Sequence, residues 1–100
     1  MKNSLISKKD INTFQNDGVV LVKNLFKDYV DIIRAGIEKN LAQPGPFAAE
    51  NLNEGDNGRF FDDYCNWQDI PEFKHTIFTS PVGLVAALLM KSKKVQLFHE

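Results

Sequence analysis

The sequence predicts an α+β fold in which about four helices pack on a small sheet. In four stretches, apolar residues recur at helical spacing between capping residues, prolines or glycines. Two short apolar runs, Val19–Val22 and Val95–His99, instead have the composition of strands. We expect residues 1–100 to form a single domain or a domain fragment, because this length suits one modest core.

The first helix is predicted from the residues at its two ends. Ser7, with Asp10 three residues later, resembles a capping box and indicates the start of the helix. Gly18 is a good residue for ending it in the left-handed conformation. The continuous β-branched and aliphatic run Val19–Val22 follows directly, and we expect it to be a strand that is buried on both faces.

The second helix is predicted from its apolar face. Asp28 is the expected N-cap, and the helix should end near Leu41. Gly36 lowers helix propensity in the interior by about 1 kcal/mol relative to alanine, so we interpret it as a site of close packing against a neighbouring element. The apolar stripe has spacings of three and four residues and consists of Val30, Ile33, Ile37 and Leu41.

Prolines near their starts predict two further helices. Asp69 should cap the third helix, with Pro71 in its first turn, and the pair Ser80 and Pro81 repeats this signal for the fourth. The fourth helix should run from residue 82 to about residue 91. It is apolar on nearly every side, so we expect it to be deeply buried.

A long connector, residues 42–58, separates the second and third helices. It contains two prolines and three glycines and is longer than most connections in compact domains, so we expect it to be flexible. Its C-terminal end leads into Gly58–Tyr64, which can form a short strand or one arm of a hairpin.

Composition limits the classes of partner and the compartment. The net charge of −1 gives no footprint for nucleic acid or for a membrane surface. The longest apolar run, Val82–Met90, has nine residues, far below the ~20 that span a bilayer. A single cysteine, Cys65, allows no intrachain disulfide, and the N-terminus has no signal-peptide pattern. We therefore expect a soluble, cytoplasmic protein.

The most unusual stretch is Gly58–Trp67, GRFFDDYCNW, which is both aromatic and acidic. Residues 50–72 hold seven acids and one base, Arg59. We interpret the acids as solvated loop residues, with a cation site or an acidic contact face as the alternative. Arg59 should pair with Asp62, Asp63 or a neighbouring acid, or else clamp a ligand carboxylate. Arg59, Tyr64 and Trp67 are the candidates for lining a small pocket or an interface.

No residue of the chain is assigned a catalytic, cofactor-binding or metal-binding role. A facial iron triad needs two histidines and a carboxylate, so His75 and His99, the only histidines, would have to converge. The acidic connector matches no calcium loop, because registers that begin at Asn53 or Glu54 lack the Asp-rich odd positions and do not end in glutamate at position 12. Cys65 has acidic and amide neighbours that do not activate a thiol, and we expect it to be buried.

Two stretches resemble the N-terminal part of the phytanoyl-CoA dioxygenase family. They are FQNDGVVLVKNLF at Phe14–Phe26 and GRFFDDYCNWQDIPEFKHTIFTSPVGLVAALLMKSKKVQLFHE at residues 58–100. The resemblance implies an oxygenase that uses iron(II) and 2-oxoglutarate and is built on a double-stranded β-helix. It also implies that the metal and cosubstrate ligands of such an enzyme lie on later strands, so that none falls on a position of this chain. We therefore expect these 100 residues to be inactive by themselves.

The resemblance places Val19–Val22 and Val95–His99 side by side in one sheet, with helices over one face. The other face would meet the β-helix, and in the chain alone it must find other cover. A homodimer is the expected solution, since two-fold closure is the commonest form of self-association. The alternative to an oxygenase fragment is a free-standing module of unknown function that binds itself or another protein. A third hypothesis is a carboxylate pocket around Arg59.

Overall fold

The computed structural model describes residues 5–100. Within that range, four helices and one two-stranded antiparallel sheet confirm a small α+β fold. The helices pack mainly in two pairs, the first on the fourth and the second on the third. The elements are α1 (Lys8–Asp17), α2 (Val30–Ala42), β1 (Ala49–Glu50), β2 (Phe61–Asp62), α3 (Pro71–Thr79) and α4 (Val82–Met90).

Helix α1 begins and ends where the sequence predicts. The Ser7 hydroxyl accepts a hydrogen bond from the Asp10 backbone N–H, and the Asp10 carboxylate accepts one from the Ser7 N–H, both at 3.0 Å. Gly18 has φ 78°, and its N–H donates to the Phe14 carbonyl at 2.8 Å. The capping box and the left-handed glycine therefore satisfy backbone groups that a helix end leaves open.

The predicted strand at Val19–Val22 is wrong. In the part of the chain that the structure describes, these residues form no ladder, and Val19 and Leu21 are 68% and 77% exposed. Asn24 then takes a left-handed conformation, φ 63°, and a 3-10 turn over Lys27–Tyr29 leads into α2. A strand needs a neighbour for its N–H and C=O groups, and none of the described residues supplies one here.

Helix α2 packs on α3 at Gly36, as the sequence predicts. Gly36 is buried, and a Cβ added there would lie only 2.6 Å from Cε1 of Phe73. The start of α2 differs from expectation, since Val30 rather than a residue next to Asp28 is its first residue and no side chain caps it. The 3-10 turn over Lys27–Tyr29 precedes α2 and contains the residues with which a helix capped by Asp28 would have begun.

The connector holds one short strand instead of being irregular throughout. β1 pairs with β2 so that Ala49 lies opposite Asp62 and Glu50 opposite Phe61. The Asn51 N–H extends the pairing by donating to the Phe60 carbonyl at 2.7 Å. The predicted arm at 58–64 is thus a two-residue strand, and its partner lies in the connector.

Helices α3 and α4 start at the predicted prolines. Pro71 occupies the first turn of α3, where its missing N–H costs nothing. Ile70, not Asp69, is the N-cap, because a 3-10 turn over Trp67–Asp69 precedes the helix. At the start of α4, the Ser80 hydroxyl accepts from the Val82 N–H at 3.4 Å.

The expectation that α4 is deeply buried is wrong. Val85 is 6% exposed, whereas Val82, Leu84 and Met90 are 43%, 53% and 49% exposed. Helix α1 covers one side of α4, and the described chain supplies too little cover for the other sides. No single helix in the described residues is long and apolar enough to cross a membrane, although α3 and α4 pass together by length and composition, with a 43° bend.

The predicted final strand at Val95–His99 is also wrong. Lys91 ends α4 in the left-handed conformation, φ 53°, and residues 95–99 form no ladder within the described part of the chain. Val95, Leu97 and Phe98 are 41%, 45% and 95% exposed. The composition that favours a strand is present, but a pairing partner is not.

The molecule is elongated and its interior is small. It measures 51 × 28 × 23 Å with a radius of gyration of 16.6 Å, against ~13 Å for a compact chain of this length. Its accessible surface is 7952 Å², roughly 2,000 Å² more than a compact monomer of its mass exposes. Ile6, Ile70 and Val85 are the buried apolar residues of the described range.

Candidate functional site

Arg59 makes the predicted ion pair, but with an acid from the connector. Its Nε lies 2.5 Å from Oε1 of Glu50, and its guanidinium carbon lies 5.1 Å from the centre of the Phe61 ring. The register of β1 and β2 explains the partner, because Glu50 is opposite Phe61. Both charged side chains are about half exposed, so the pair stabilises the hairpin by at most ~1 kcal/mol.

Tyr64 lies in a short aromatic stack. Its ring is stacked on Phe47 with centroids 5.1 Å apart and on His99 with centroids 5.4 Å apart. Phe47 comes from the connector and His99 from the last residues of the chain. The stack therefore ties three distant parts of the sequence together on the surface, where Tyr64 remains 40% exposed.

Cys65 is exposed, which corrects the expectation that it is buried. It has a left-handed backbone conformation, φ 56°, at a bend between Tyr64 and Asn66. Its N–H donates to the Glu100 carbonyl at 2.9 Å. The backbone of Cys65 is thus held in place, while the thiol faces solvent.

Asn66 is the buried polar centre of the segment, with 6% of its surface exposed. Its side-chain amide donates to Oδ1 of Asn40 at 3.0 Å and to Oδ2 of Asp63 at 3.1 Å. Its backbone N–H donates to Oε1 of Glu100 at 2.6 Å, and the backbone N–H of Trp67 donates to the same oxygen at 3.0 Å. A network that satisfies its members in this way fixes a unique arrangement.

Asp63 connects this network to the connector. Its Oδ2 also accepts from the Gly45 N–H at 2.8 Å, and its Oδ1 accepts from the Tyr64 N–H at 2.8 Å. Sequence reasoning missed the network, because Asn40, Asn66 and Glu100 are far apart in the chain. One signal was available: an acid and an asparagine flank a tight turn inside the aromatic segment.

Trp67 lies at an apolar hollow of about 270 Å³. Its ring meets Phe78 edge to face, with centroids 5.7 Å apart. Neither Arg59 nor Tyr64 lines this hollow, so the three candidate residues face different surroundings. The lining residues are Ile33, Trp67, Phe73, Thr76, Ile77 and Glu100.

An ion pair links α2 to α3 beside the Asn66 network. Lys39 Nζ lies 2.6 Å from Oε2 of Glu72, whose side chain is 15% exposed. The hydrogen bond from Lys39 lowers the pKa of Glu72 below its ordinary value. The second carboxylate oxygen of Glu72, Oε1, is buried and has no hydrogen-bond partner among the described residues.

The residues that iron chemistry would need do not come together. His75 lies beside Tyr29, with ring centroids 6.1 Å apart, and His99 lies on Tyr64. Across residues 5–100, no group of three or more His, Cys, Asp and Glu side chains is placed to hold a metal ion. The residues here therefore do not fit an iron(II) facial triad. Arg59 is already paired with Glu50, so it does not offer a free clamp for 2-oxoglutarate either.

No family model, no curated protein and no solved structure matches the chain significantly.

Proposed function

We propose that this chain is a non-catalytic packing module. Its helices form a layer whose exposed apolar face packs against a larger body that contains a β-sheet. The observation that carries the proposal is the imbalance between exposed and buried apolar side chains. Sixteen large apolar or aromatic residues of the described range are exposed, while three apolar residues are buried. A chain that folded to serve alone would hide more of this surface.

The two unpaired strand-like runs indicate the nature of the missing cover. Val19–Val22 and Val95–His99 have strand composition, and both are left without ladder partners in the described chain. A neighbouring sheet would supply the N–H and C=O groups that such runs need. This is what the resemblance to the phytanoyl-CoA dioxygenase family implies, where the covered body would be a double-stranded β-helix that holds iron and 2-oxoglutarate.

In that proposal, the oxygenase chemistry belongs to the double-stranded β-helix and not to this chain. The histidines lie apart, and Arg59 is engaged by Glu50. The exposed thiol of Cys65, with no second cysteine to pair with, is compatible with a reducing compartment such as the cytoplasm.

Titration of iron(II) and 2-oxoglutarate into the purified chain tests the non-catalytic part of the proposal. We expect neither micromolar binding by calorimetry nor 2-oxoglutarate turnover. Binding together with turnover by these 100 residues would overturn it. A dye that fluoresces on exposed apolar surface tests the packing part: we expect strong fluorescence at chain concentrations low enough to prevent association. A monomer that does not increase the fluorescence of the dye would contradict the proposal that one apolar face of the chain is uncovered.

The second candidate is a free-standing module that associates with itself. A specific feature favours it. The most exposed aromatic side chain of the described range, Phe98, lies beside an apolar groove of the same chain.

A further inference from the structure

We infer that the groove between α3, α4 and the C-terminal segment, residues 92–99, is the docking site for Phe98 of a second copy of this chain. The inference rests on the proposed packing function and names one partner for its uncovered surface. The groove has a volume of about 390 Å³ and is lined by Ile77, Phe78, Val82, Gly83, Ala86, Val95, Gln96 and Leu97.

The groove is apolar and accessible. Phe78 and Val82 on its walls are 67% and 43% exposed. No charged side chain lines it, so an apolar occupant would leave no buried charge without a partner. Gly83 also lines the groove, and a Cβ added there would lie at an ordinary contact distance, 3.7 Å, from Cγ2 of Val95.

Phe98 is a suitable occupant. It is 95% exposed, and its one described ring contact is with His99, at 6.0 Å between centroids. A phenylalanine side chain buries ~150–250 Å² when it enters a pocket, which makes it a strong anchor. Its own chain does not bury it, so it gains this burial only from another surface.

The positions of anchor and groove suit a two-fold arrangement. Phe98 follows directly after Leu97, which lines the groove. A two-fold axis near the C-terminal segment therefore brings each Phe98 to the groove of the other copy over a short distance, and both contacts form at once.

The exposed area is large enough for this contact. A stable interface buries ~800 Å² on each partner, and this chain exposes roughly 2,000 Å² more than a compact monomer. One two-fold contact thus removes less than half of the excess. The remaining surface stays available for the larger body of the proposed function.

Sedimentation equilibrium over a range of chain concentrations tests the inference. We expect a monomer–dimer equilibrium whose dissociation constant rises at least ~30-fold in Phe98→Asp, because loss of a buried aromatic anchor has an effect of this size. The matched control is Phe60→Asp, a substitution at a 59% exposed phenylalanine outside the groove. The control should leave the dissociation constant unchanged, and equal weakening by both variants would overturn the inference.

A second measurement locates the contact without weakening it. A photo-reactive phenylalanine analogue, p-benzoylphenylalanine, at position 98 is mixed with an isotopically labelled wild-type chain. We expect cross-links from position 98 to labelled peptides that contain residues 77–86. Cross-links elsewhere, or none in a sample that sediments as a dimer, would show that the docking site is wrong. A monomer at every concentration would also refute the dimer, and bright dye fluorescence in that monomer would leave the proposed packing function standing.

Discussion

Replacing Gly36 with alanine probes the closest helix contact of the fold. An added Cβ would lie 2.6 Å from Cε1 and 2.8 Å from Cδ1 of Phe73, and 3.1 Å from Cβ of Glu72. The two distances to the Phe73 ring are shorter than the contacts that Cβ atoms make in proteins, so the ring must move. The Glu72 Cβ is attached directly to the α3 backbone, so it yields only if α3 itself shifts away from α2.

Two opposing effects set the size of the change. Alanine in place of a mid-helix glycine favours the helix by about 1 kcal/mol. Overpacking in a tight contact costs ~1–3 kcal/mol, and the backbone-attached Glu72 atom places Gly36→Ala in the upper part of that range. We expect the free energy of unfolding to fall by ~1–2 kcal/mol and Tm to fall by ~5–12 °C.

Urea unfolding followed by circular dichroism measures this change, and Gly83→Ala is the matched control. Gly83 also lies in a helix, as the second residue of α4, and its added Cβ would meet only Cγ2 of Val95, at an ordinary 3.7 Å. At equal chain concentration we expect Gly83→Ala to raise the free energy of unfolding by up to ~1 kcal/mol. If Gly36→Ala stabilised the protein as much as the control does, the close α2–α3 contact would be refuted.

Three further predictions concern the polar contacts. Asn66→Ala should lower the free energy of unfolding by ~2–3 kcal/mol, measured with urea, because it leaves buried partners unsatisfied; a loss under 0.5 kcal/mol would contradict the network. The hydrogen bond from Lys39 lowers the pKa of Glu72 in the folded state. The ion pair therefore stabilises the fold fully above pH 4.5, the ordinary pKa of a glutamate, and this stabilisation is lost as the pH falls through the lower folded-state pKa. Stability should therefore fall more steeply below pH 4.5 in the wild type than in Glu72→Gln, and parallel pH profiles would argue against this pair. Arg59→Ala should change the free energy of unfolding by less than ~1 kcal/mol, and a larger loss would show that the half-exposed pair matters more than its exposure implies.

Features that depend on neighbours in sequence were predictable. Ser7 and Asp10 cap α1 through groups three residues apart, and Gly18 ends it through a conformation that glycine adopts without steric cost. Pro71 starts α3 for an equally local reason, since its fixed φ suits the first helical position. Local signals failed where a 3-10 turn intervened, as before Val30, because it uses the same residues as an earlier helix start.

The candidate site was predicted in part. Arg59 pairs with an acid as expected, but the choice of Glu50 follows from the β1–β2 register, which the sequence does not reveal. The Asn66 network was missed altogether. Its amide and backbone groups meet partners 26 and 34 residues away, and no local pattern encodes such pairings.

By itself, the sequence determined which stretches become helices, where the two ends of α1 lie and that Gly36 is a place of close approach. These properties depend on periodicity and on the conformations of single residues. The tertiary structure alone decided that Val19–Val22 and Val95–His99 are not strands and that α4 is largely uncovered. The physical reason is that a strand and a buried face are both relations between two surfaces. A sequence can supply an apolar, β-branched side, but only the packing of the whole chain shows whether a second side is there to meet it.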